Sequence, residues 1–303
     1  MNKKLGFLFT AISGTCFGFL PIFAKLAYNN GGNTSTVLSI RFTVAALIMW
    51  TISFVLKIDY KVGKTKIIHL ILLGSIGYNS TTAAYFYALN FISTPLVALV
   101  FYTNPIIVSV LSYFIIKEKV TKGKMTALTL SSMGLIMIVG FSIGNVNIVG
   151  IAYAALAAFT YSIYVIVGSR IIRGINPIIV TTYVTTGCSL MANLTGMISG
   201  GLIRIPYTAW LYSIMTAVFA TVVAIITFYE GMKRIGPSQT AIISTIEPVV
   251  STIMAAVIFN DILSFPQIVG GILIIVGIVV LQRPEEEVSE ELGELTVEQI
   301  EVD

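Results

Sequence analysis

The stretch Ser244-Thr245-Ile246-Glu247-Pro248-Val249-Val250 places a carboxylate and a proline inside an apolar run that extends from about Gly236 to Phe259. A run of this length can span a bilayer. A charge near the middle of a span costs at least ~2.5 kcal/mol on insertion scales, so it normally faces a cavity or a partner. Pro248 has no N–H, which frees the carbonyl of Ser244 and tends to kink the helix. Because a freed carbonyl within the membrane needs a partner, the stretch predicts a binding site near the midplane.

The composition excludes an ordinary soluble domain, because the chain is 56% apolar and 11% charged with a mean hydropathy of +0.93. Residues 1–282 contain 17 basic and five acidic side chains, whereas residues 283–303 contain Arg283 and nine acidic side chains. The basic residues lie in short loops between apolar runs, as membrane topology requires, so no nucleic-acid partner is expected. Residues 283–303 are predicted to form a solvated, disordered, acidic cytoplasmic tail.

Apolar runs of spanning length predict an all-α polytopic membrane protein with ten transmembrane helices. The connections between the runs are short, so each helix is expected to pack against its neighbour. The predicted spans are about 5–27, 34–56, 67–89, 94–116, 125–142, 148–169, 176–199, 207–231, 236–259 and 265–282.

The loops predict that both termini are cytoplasmic. Fifteen of the eighteen basic residues then lie on the inner side, Arg204 lies on the outer side, and Lys25 and Arg41 flank or enter the first outer loop. This is a strong positive-inside signal. We therefore expect a multi-pass protein of the cell membrane, the inner membrane in a bacterium, with the lipid bilayer as a partner. The inner residues are Lys3, Lys4, Lys57, Lys61, Lys64, Lys66, Lys117, Lys119, Lys122, Lys124, Arg170, Arg173, Lys233, Arg234 and Arg283.

The sequence contains no motif for catalysis or metal binding. Cys16 and Cys188 lie within apolar runs and are expected to be buried, inert thiols, and His69 has no partner motif. No phosphate-binding loop, zinc pattern or nucleophile elbow is present. We therefore expect a protein that is not an enzyme and that needs no metal or other cofactor, although coupling to protons is compatible with the sequence.

The two halves of the chain resemble each other. Each half has five spans, and an odd number means that the second copy enters the membrane upside down. The predicted repeats are residues 1–145 and 146–282, and inverted repeats of this kind are typical of transporters. Near the N-terminus the best register places Gly6 on Gly150. Further along the chain the register is shorter by one position, an offset of 143 residues that is here called the repeat offset. It places Ala98 on Ala241, Pro105 on Pro248, Glu118 on Asp261 and Gly134 on Gly277.

Two stretches carry a resemblance to a known family. Residues 85–93, YFYALNFIS, followed by Asn104-Pro105 and Lys117-Glu118, resemble the C-terminal part of an EamA-type repeat. So do residues 228–238, FYEGMKRIGPS, followed by Glu247-Pro248, Asp261 and Gly270-Gly271. The resemblance implies the ten-helix fold of the drug/metabolite transporter superfamily, with a central cavity lined by helices one, three, four, six, eight and nine. Members of that superfamily move amino acids, other metabolites, nucleotide sugars or drugs.

Glu247 is the first candidate for substrate binding, because it lies near the middle of its span. Its equivalent in the first half is Asn104, which also precedes a proline. Glu247 is predicted to bind a substrate ammonium group or a proton. The alternative is a buried glutamate that hydrogen-bonds to backbone freed by Pro105 or Pro248 and only shapes the helix.

Polar and aromatic side chains in the third and sixth spans are further candidates. Asn79, with Tyr78 beside it, lies in the polar run 77–82, and Tyr85 follows. Tyr161 and Tyr164 are three residues apart and share a helix face, where they are predicted to wall a cavity. The alternatives are helix–helix adhesion, which we favour for residues 80–82, and ordinary aromatic packing.

Three positions near helix ends or kinks complete the predictions. Pro21, within Gly18–Pro21, predicts a kink in the first span. Arg41 either snorkels to the outer interface or holds a substrate carboxylate. Glu230 is expected to form an interfacial ion pair with Lys233 or Arg234, and a role in gating is the alternative.

These features predict a secondary active or facilitative transporter of small organic metabolites that works by alternating access. Export of amino acids or related compounds is the leading expectation, because an acid suits an ammonium group and Arg41 suits a carboxylate. The alternatives are an uptake transporter for an organic cation or nucleoside, and a non-transporting membrane sensor or lipid-handling subunit. A small-molecule metabolite is thus the expected ligand, and a homodimer is compatible with the sequence.

Overall fold

A computed structural model describes residues 2–59, 62–140, 147–259 and 262–282, without the side chains of Thr94 and Pro95. Lys61, Asn260, Asp261, Arg283 and the predicted acidic tail at 283–303 lie outside the described residues. The described part is helical and contains no strand. Its helices are α1 Lys3–Asn29, α2 Thr34–Val55, α3 64–88, α4 94–116, α5 Lys122–Val139, α6 Ile148–Ile171, α7 Pro177–Ile198, α8 Tyr207–Ile235, α9 Pro237–Phe259 and α10 Phe265–Gln282.

Eight of these helices are long and apolar enough to cross a membrane, namely all except α3 and α5. Local composition explains both exceptions, because α3 contains the polar run 77–82 and α5 begins with Lys122 and Lys124. Large apolar side chains such as Ile148 (81% exposed) and Tyr207 (82%) lie on the outside of the bundle. The chain is therefore a multi-pass membrane protein, while ten spans and the orientation of the termini remain predictions.

Local sequence signals fix where several helices begin. The side chain of Asn33 accepts a hydrogen bond of 2.9 Å from Thr36 N at the start of α2. Asn176 does the same for Ile178 N, also at 2.9 Å, at the start of α7. Such caps satisfy donors that a helix terminus leaves open. The repeat offset places Asn33 on Asn176, so equivalent helices begin with the same device.

The correspondence between the halves extends to packing. The repeat offset places the first residues of α2, α3, α4 and α5 on the first residues of α7, α8, α9 and α10. A Cβ atom on Gly134 would collide with the carbonyl of Gly270, and one on Gly277 would lie 3.0 Å from the carbonyl of Ala127. The same offset converts one of these contacts into the other. Close packing of α5 on α10 therefore depends on small residues at equivalent positions.

Three helices are interrupted near the predicted prolines. Helix α1 breaks at Phe19, just before Pro21. Helix α4 breaks between Phe101 and Asn104, and α9 breaks between Ile243 and Ile246. The kinks predicted from Pro21, Pro105 and Pro248 are thus present. Helices α3 and α8 also contain π-helical segments, Leu73–Tyr78 and Val218–Val223, and such segments are often found at functional sites.

The breaks in α4 and α9 divide each helix into two halves that pack differently. Residues 104–111 of α4 pack against residues 237–243 of α9. Residues 94–101 and 246–259, on the other side of the breaks, show no comparable packing in the described part of the chain. The two helices therefore meet at one end of the bundle and diverge at the other, and the breaks lie between.

Candidate functional site

Glu247 lies directly after the break in α9, in the first turn of Ile246–Phe259. Its side chain is deep in the bundle but keeps a partly accessible surface. The hydroxyl of Tyr102, which lies in the break of α4, interacts with the Glu247 carboxylate. The two helix breaks thus bring an acid and a phenol together at the centre of the molecule.

The backbone carbonyls freed by the prolines have partners. The carbonyl of Ser244 accepts a bond of 3.0 Å from Glu247 N, so it does not become the open acceptor that the sequence suggested. In α4 the carbonyl of Phe101 accepts from Asn104 Nδ2 at 2.9 Å. Asn104 is also buried. The asparagine of the first half therefore satisfies its own helix break, whereas Glu247 leaves its carboxylate to other groups.

Aromatic rings surround the carboxylate. The ring of Phe101 lies 5.4 Å from that of Tyr85 and 5.5 Å from that of Tyr161, measured between centroids. Tyr85, Tyr102 and Tyr161 all interact electrostatically with Glu247 and are partly accessible. The structure thus brings predicted residues of α3, α6 and α9 together with Tyr102 of α4. The result is an aromatic wall with several hydroxyl groups around one acid.

Arg41 is buried, with 3% of its surface exposed, so the prediction that it snorkels to the outer interface is wrong. Its Nε donates to Thr221 Oγ at 2.7 Å, and its Nη2 donates to Tyr78 OH at 3.2 Å and to the Ala220 carbonyl at 3.1 Å. These acceptors hold the side chain inward. The Nη1 group forms no hydrogen bond within the described residues, so its two N–H groups remain available to a ligand.

Arg41 and Glu247 carry the two opposite charges of this central region. They interact electrostatically, but no ion pair joins them among the described residues. Tyr78 interacts with both residues, since it accepts a hydrogen bond from Arg41 and interacts electrostatically with Glu247. The centre of the bundle therefore offers a cation with free donors and an anion, separated by aromatic side chains.

Tyr164 belongs to the core rather than to this wall. It is buried, and its hydroxyl lies 2.6 Å from the hydroxyl of Tyr229. Its ring is still near those of Tyr161 (5.9 Å) and Tyr78 (5.7 Å), so the shared face predicted for Tyr161 and Tyr164 is present. Tyr164 thus packs against Tyr161 and Tyr78 from the side of the core.

The polar side chains of α3 bond mainly to the backbone of their own helix. Asn79 Nδ2 donates to the carbonyl of Gly74 at 3.0 Å, in the π-helical segment that precedes it. Thr81 shares a hydrogen bond of 3.1 Å with Thr160 of α6. Ser80 and Thr82 bond to carbonyls of the preceding turn. Only the contact of Thr81 matches the adhesion alternative for residues 80–82. The amide nitrogen of Asn79 has a backbone partner, and a ligand contact of Asn79 stays a prediction.

A polar cluster occupies the end at which α4 and α9 meet. The hydroxyls of Ser109 and Ser238 lie 3.0 Å apart and share a hydrogen bond. Beside them Lys124 Nζ lies 2.9 Å from Glu118 Oε1, and a cavity of about 20 Å³, the size of one water, adjoins both pairs. At the same end Glu230 pairs with Arg234, as predicted. This cluster closes the bundle below Glu247.

Two residues of the site escaped sequence reasoning. Tyr102 lies in an apolar stretch, and its only signal is that it precedes Asn104-Pro105 by two residues. Thr221 resembles many other threonines in spans, so no signal in the sequence marks it as the partner of Arg41. Both depend on helix irregularities, a break and a π-helical segment, that rotate side chains away from ideal helical positions.

Comparison with known proteins agrees with this architecture. The sequence matches the model of the EamA-like transporter family over residues 4–140 and 148–283. The uncharacterised transporter YyaM of Bacillus subtilis is 26% identical over 247 residues, which cover 78% of this chain and 81% of that protein. An uncharacterised transporter of Archaeoglobus fulgidus is 25% identical over 274 residues, 90% of this chain and 94% of its own. A solved crystal structure covers 93% of this chain and 97% of its own with a TM-score of 0.79 at 18% identity, which shows a shared fold.

Proposed function

Because the chain belongs to the EamA-like transporter family, we propose that it exports small zwitterionic metabolites, amino acids foremost, across the cell membrane by alternating access. The observation that carries the proposal is that Arg41 and Glu247, the charges at the two sides of the central site, form no ion pair among the described residues. An amino acid presents an ammonium and a carboxylate on one carbon, so it satisfies both charges at once.

The chemistry of the site supports this class of substrate. A buried charge without a partner is costly, and a ligand of opposite charge removes that cost. The Nη1 donors of Arg41 suit a carboxylate, and the Glu247 carboxylate suits an ammonium group. Tyr85, Phe101 and Tyr161 would surround the side chain of the substrate with apolar surface and hydroxyl groups.

The proposed architecture is ten spans with both termini in the cytoplasm, arranged as inverted repeats at residues 1–145 and 146–282. The equal spacing of the helices and the paired contacts of Gly134 and Gly277 support it. With this orientation the end at which Ser109 meets Ser238 would be cytoplasmic, and the end at which α4 and α9 diverge would face the outside. Rocking of one repeat against the other would exchange the open and closed ends.

Energy for export would come from an ion gradient, and Glu247 is the proposed proton carrier. A carboxylate that binds an ammonium group and a proton in turn couples the two fluxes, because one occupant must leave before the other binds. Tyr102, which interacts with the same carboxylate, would donate to it and so stabilise the charged form that receives the substrate.

The decisive experiment compares an amino acid with the amine and the carboxylic acid that each carry one of its two charged groups. Purified protein is screened for thermal stabilisation by amino acids, by the corresponding amines and by the corresponding carboxylic acids, because a ligand of the folded state raises its apparent stability. Any amino acid that stabilises is then tested for flux in proteoliposomes of known protein orientation, with and without a pH gradient. We expect stabilisation and flux only with both charged groups present, and outward flux coupled to protons.

Each alternative has its own outcome in the same experiment. Equal flux of the amine and the amino acid would identify an organic-cation transporter in which Arg41 has no ligand. Stabilisation by a ligand with no flux in either direction would identify a sensor. Flux only toward the side of the termini would reverse the proposed direction.

A further inference from the structure

Arg41 binds two residues that occupy equivalent positions in the two halves. The repeat offset, which relates the helix starts of the halves, also places Tyr78 on Thr221. Arg41 Nε donates to Thr221 Oγ at 2.7 Å, and Nη2 donates to Tyr78 OH at 3.2 Å. One guanidinium thus contacts the same position of both repeats.

This relation fixes where the guanidinium lies. When a two-fold axis relates two halves, the midpoint between equivalent atoms lies on that axis. A group that hydrogen-bonds to both Tyr78 and Thr221 lies between two equivalent positions, and therefore in the region of the axis between the repeats. Arg41 itself belongs to the first half, and Thr221 and Ala220 belong to the second, so its hydrogen bonds also join the halves.

We infer that Arg41 is a positioning residue at the pivot of the transport movement, where its guanidinium holds the two repeats together at a point that stays fixed while they rock. The inference rests on the proposed exchange between two repeats. In such an exchange each repeat adopts the conformation of the other, so only contacts on the axis are the same before and after.

The acceptors of Arg41 suit a fixed joint. Tyr78 ends the π-helical segment of α3, and Ala220 and Thr221 lie inside that of α8. Arg41 Nη2 binds the Ala220 carbonyl as well as Tyr78. A planar guanidinium reaches three acceptors in set directions, which a lysine ammonium does not. The geometry therefore selects arginine for a joint between two irregular helix segments.

A second contact between the halves lies beside Arg41. Thr43 of α2 and Ser189 of α7 have their hydroxyls 3.0 Å apart. Asn193 of α7 donates to Thr43 at 2.9 Å, and Ser39 of α2 donates to Asn193 at 2.5 Å. This polar seam continues along both sides of Arg41 in the chain, so the joint is wider than one side chain.

The hydrogen bond between Ser109 and Ser238 does not lie on the axis, so the repeat offset converts it into a contact between two other residues. The repeat offset places Ser109 on Thr252 and Pro95 on Ser238. The equivalent contact is therefore between 95 and 252, at the end where α4 and α9 diverge. Rocking would break the Ser109–Ser238 bond and close the other end, while a guanidinium on the axis keeps an acceptor from each half.

Two disulfides that both join the halves test this contrast. Thr43→Cys with Ser189→Cys replaces the seam contact, and Ser109→Cys with Ser238→Cys replaces the contact at the closed end. The hydroxyls are 3.0 Å apart in each pair, which suits a disulfide with Cβ atoms about 3.5–4.5 Å apart. The single-cysteine variants, which keep Cys16 and Cys188, control for other cross-links.

We expect the oxidised seam variant to keep most of its flux and the oxidised end variant to lose nearly all of it until a reductant is added. Substrate should also lower the cross-linking yield of the end pair and leave that of the seam pair unchanged. Loss of flux in both oxidised variants, or a seam yield that falls with substrate, would overturn the pivot. Absence of flux in the wild-type protein would instead contradict the proposed function, and the yields would still decide the pivot.

A matched pair of threonines tests Arg41 itself. Thr221→Val removes the acceptor of Arg41 Nε, whereas Thr216→Val removes a hydroxyl of α8 that is equally buried and donates to the Ser213 carbonyl. We expect Thr221→Val to lower the maximal flux about tenfold, the rate equivalent of one lost hydrogen bond to a charged group, with an unchanged KM. Equal maximal flux in the two variants, or a loss confined to KM, would overturn the role.

Discussion

Arg41 and Glu247 interact electrostatically across the centre of the bundle, yet no ion pair joins them in the described part of the chain. Arg41 donates hydrogen bonds to Thr221, Ala220 and Tyr78. Glu247 interacts instead with Tyr102. A direct pair would neutralise the site and leave nothing for a substrate. The separation keeps both charges available, so the proposed binding energy is stored in groups that the protein alone does not satisfy.

Replacement of Glu247 is the most direct test of the proposed site. Glu247→Gln keeps the shape of the side chain but removes its charge, so it should weaken substrate binding about 10- to 100-fold, the equivalent of one lost hydrogen bond to a charged group. Flux should also lose its dependence on a pH gradient. Both effects are measured in proteoliposomes over a range of pH.

The control for this change is Glu230→Gln, which removes an acid paired with Arg234 at the end of α8. This pair is partly exposed and lies away from Glu247, and such pairs contribute little, so flux should stay close to that of the wild type. Full, pH-dependent flux in Glu247→Gln would rule out Glu247 as the ammonium or proton site.

The Tyr102 hydroxyl is the second target, because it interacts with Glu247. Tyr102→Phe keeps the ring and removes the donor, so we expect substrate affinity to fall about tenfold as the carboxylate loses its fixed position. Tyr113→Phe, on an exposed side chain of the same helix, is the matched control. Equal affinity in the two variants, measured by thermal stabilisation at graded ligand concentration, would show that Tyr102 does not position the acid.

Packing of α5 on α10 predicts a stability effect that is separate from the site. Gly134→Ala adds a methyl group that collides with the Gly270 carbonyl, which should cost about 1–3 kcal/mol. Gly123→Ala, where only Thr121 Oγ lies within 4.0 Å, should be neutral or slightly stabilising. Thermal unfolding of the two purified variants compares them, and an unchanged midpoint for Gly134→Ala would contradict the close approach of the helices.

We expect the acidic segment, residues 283–303, to have no role in flux. Truncation after Arg283 removes nine acidic side chains but none of the helices or site residues. Flux per molecule in proteoliposomes should therefore equal that of the full chain, while solubility or expression changes. Loss of flux in the truncated protein would show that the segment acts on the transport domain.

Sequence patterns predicted the helices and their kinks because both depend on local chemistry. Apolar runs coincide with the helices α1 to α10 of the described residues, and Pro21, Pro105 and Pro248 each lie just after a break. A missing N–H acts within one turn, so no knowledge of the fold is needed to place its effect. The family resemblance was confirmed by the match over residues 4–140 and 148–283.

The direction of side chains was harder to predict. Arg41 is near enough to a helix end to snorkel, and the pattern of its helix does not reveal the three acceptors that α3 and α8 provide. The amide nitrogens of Asn79 and Asn104 each donate to a carbonyl in the same helix, while a contact of either residue with a ligand stays a prediction. Polar side chains in spans serve irregular backbone as readily as ligands, and only the tertiary structure distinguishes the two uses.

The position of Arg41 has a consequence for how such a protein can arise. A two-fold operation maps a group on its axis onto itself, so a second arginine at the equivalent position would compete for the same space and the same acceptors. That position is Val184, which is 0% exposed and carries no charge. An antiparallel homodimer of identical five-helix chains would place both arginines there and suffer their repulsion. When two copies are joined in one gene, one copy can lose its arginine. The fused chain can then carry one cation on the axis, whereas a symmetric dimer would carry two.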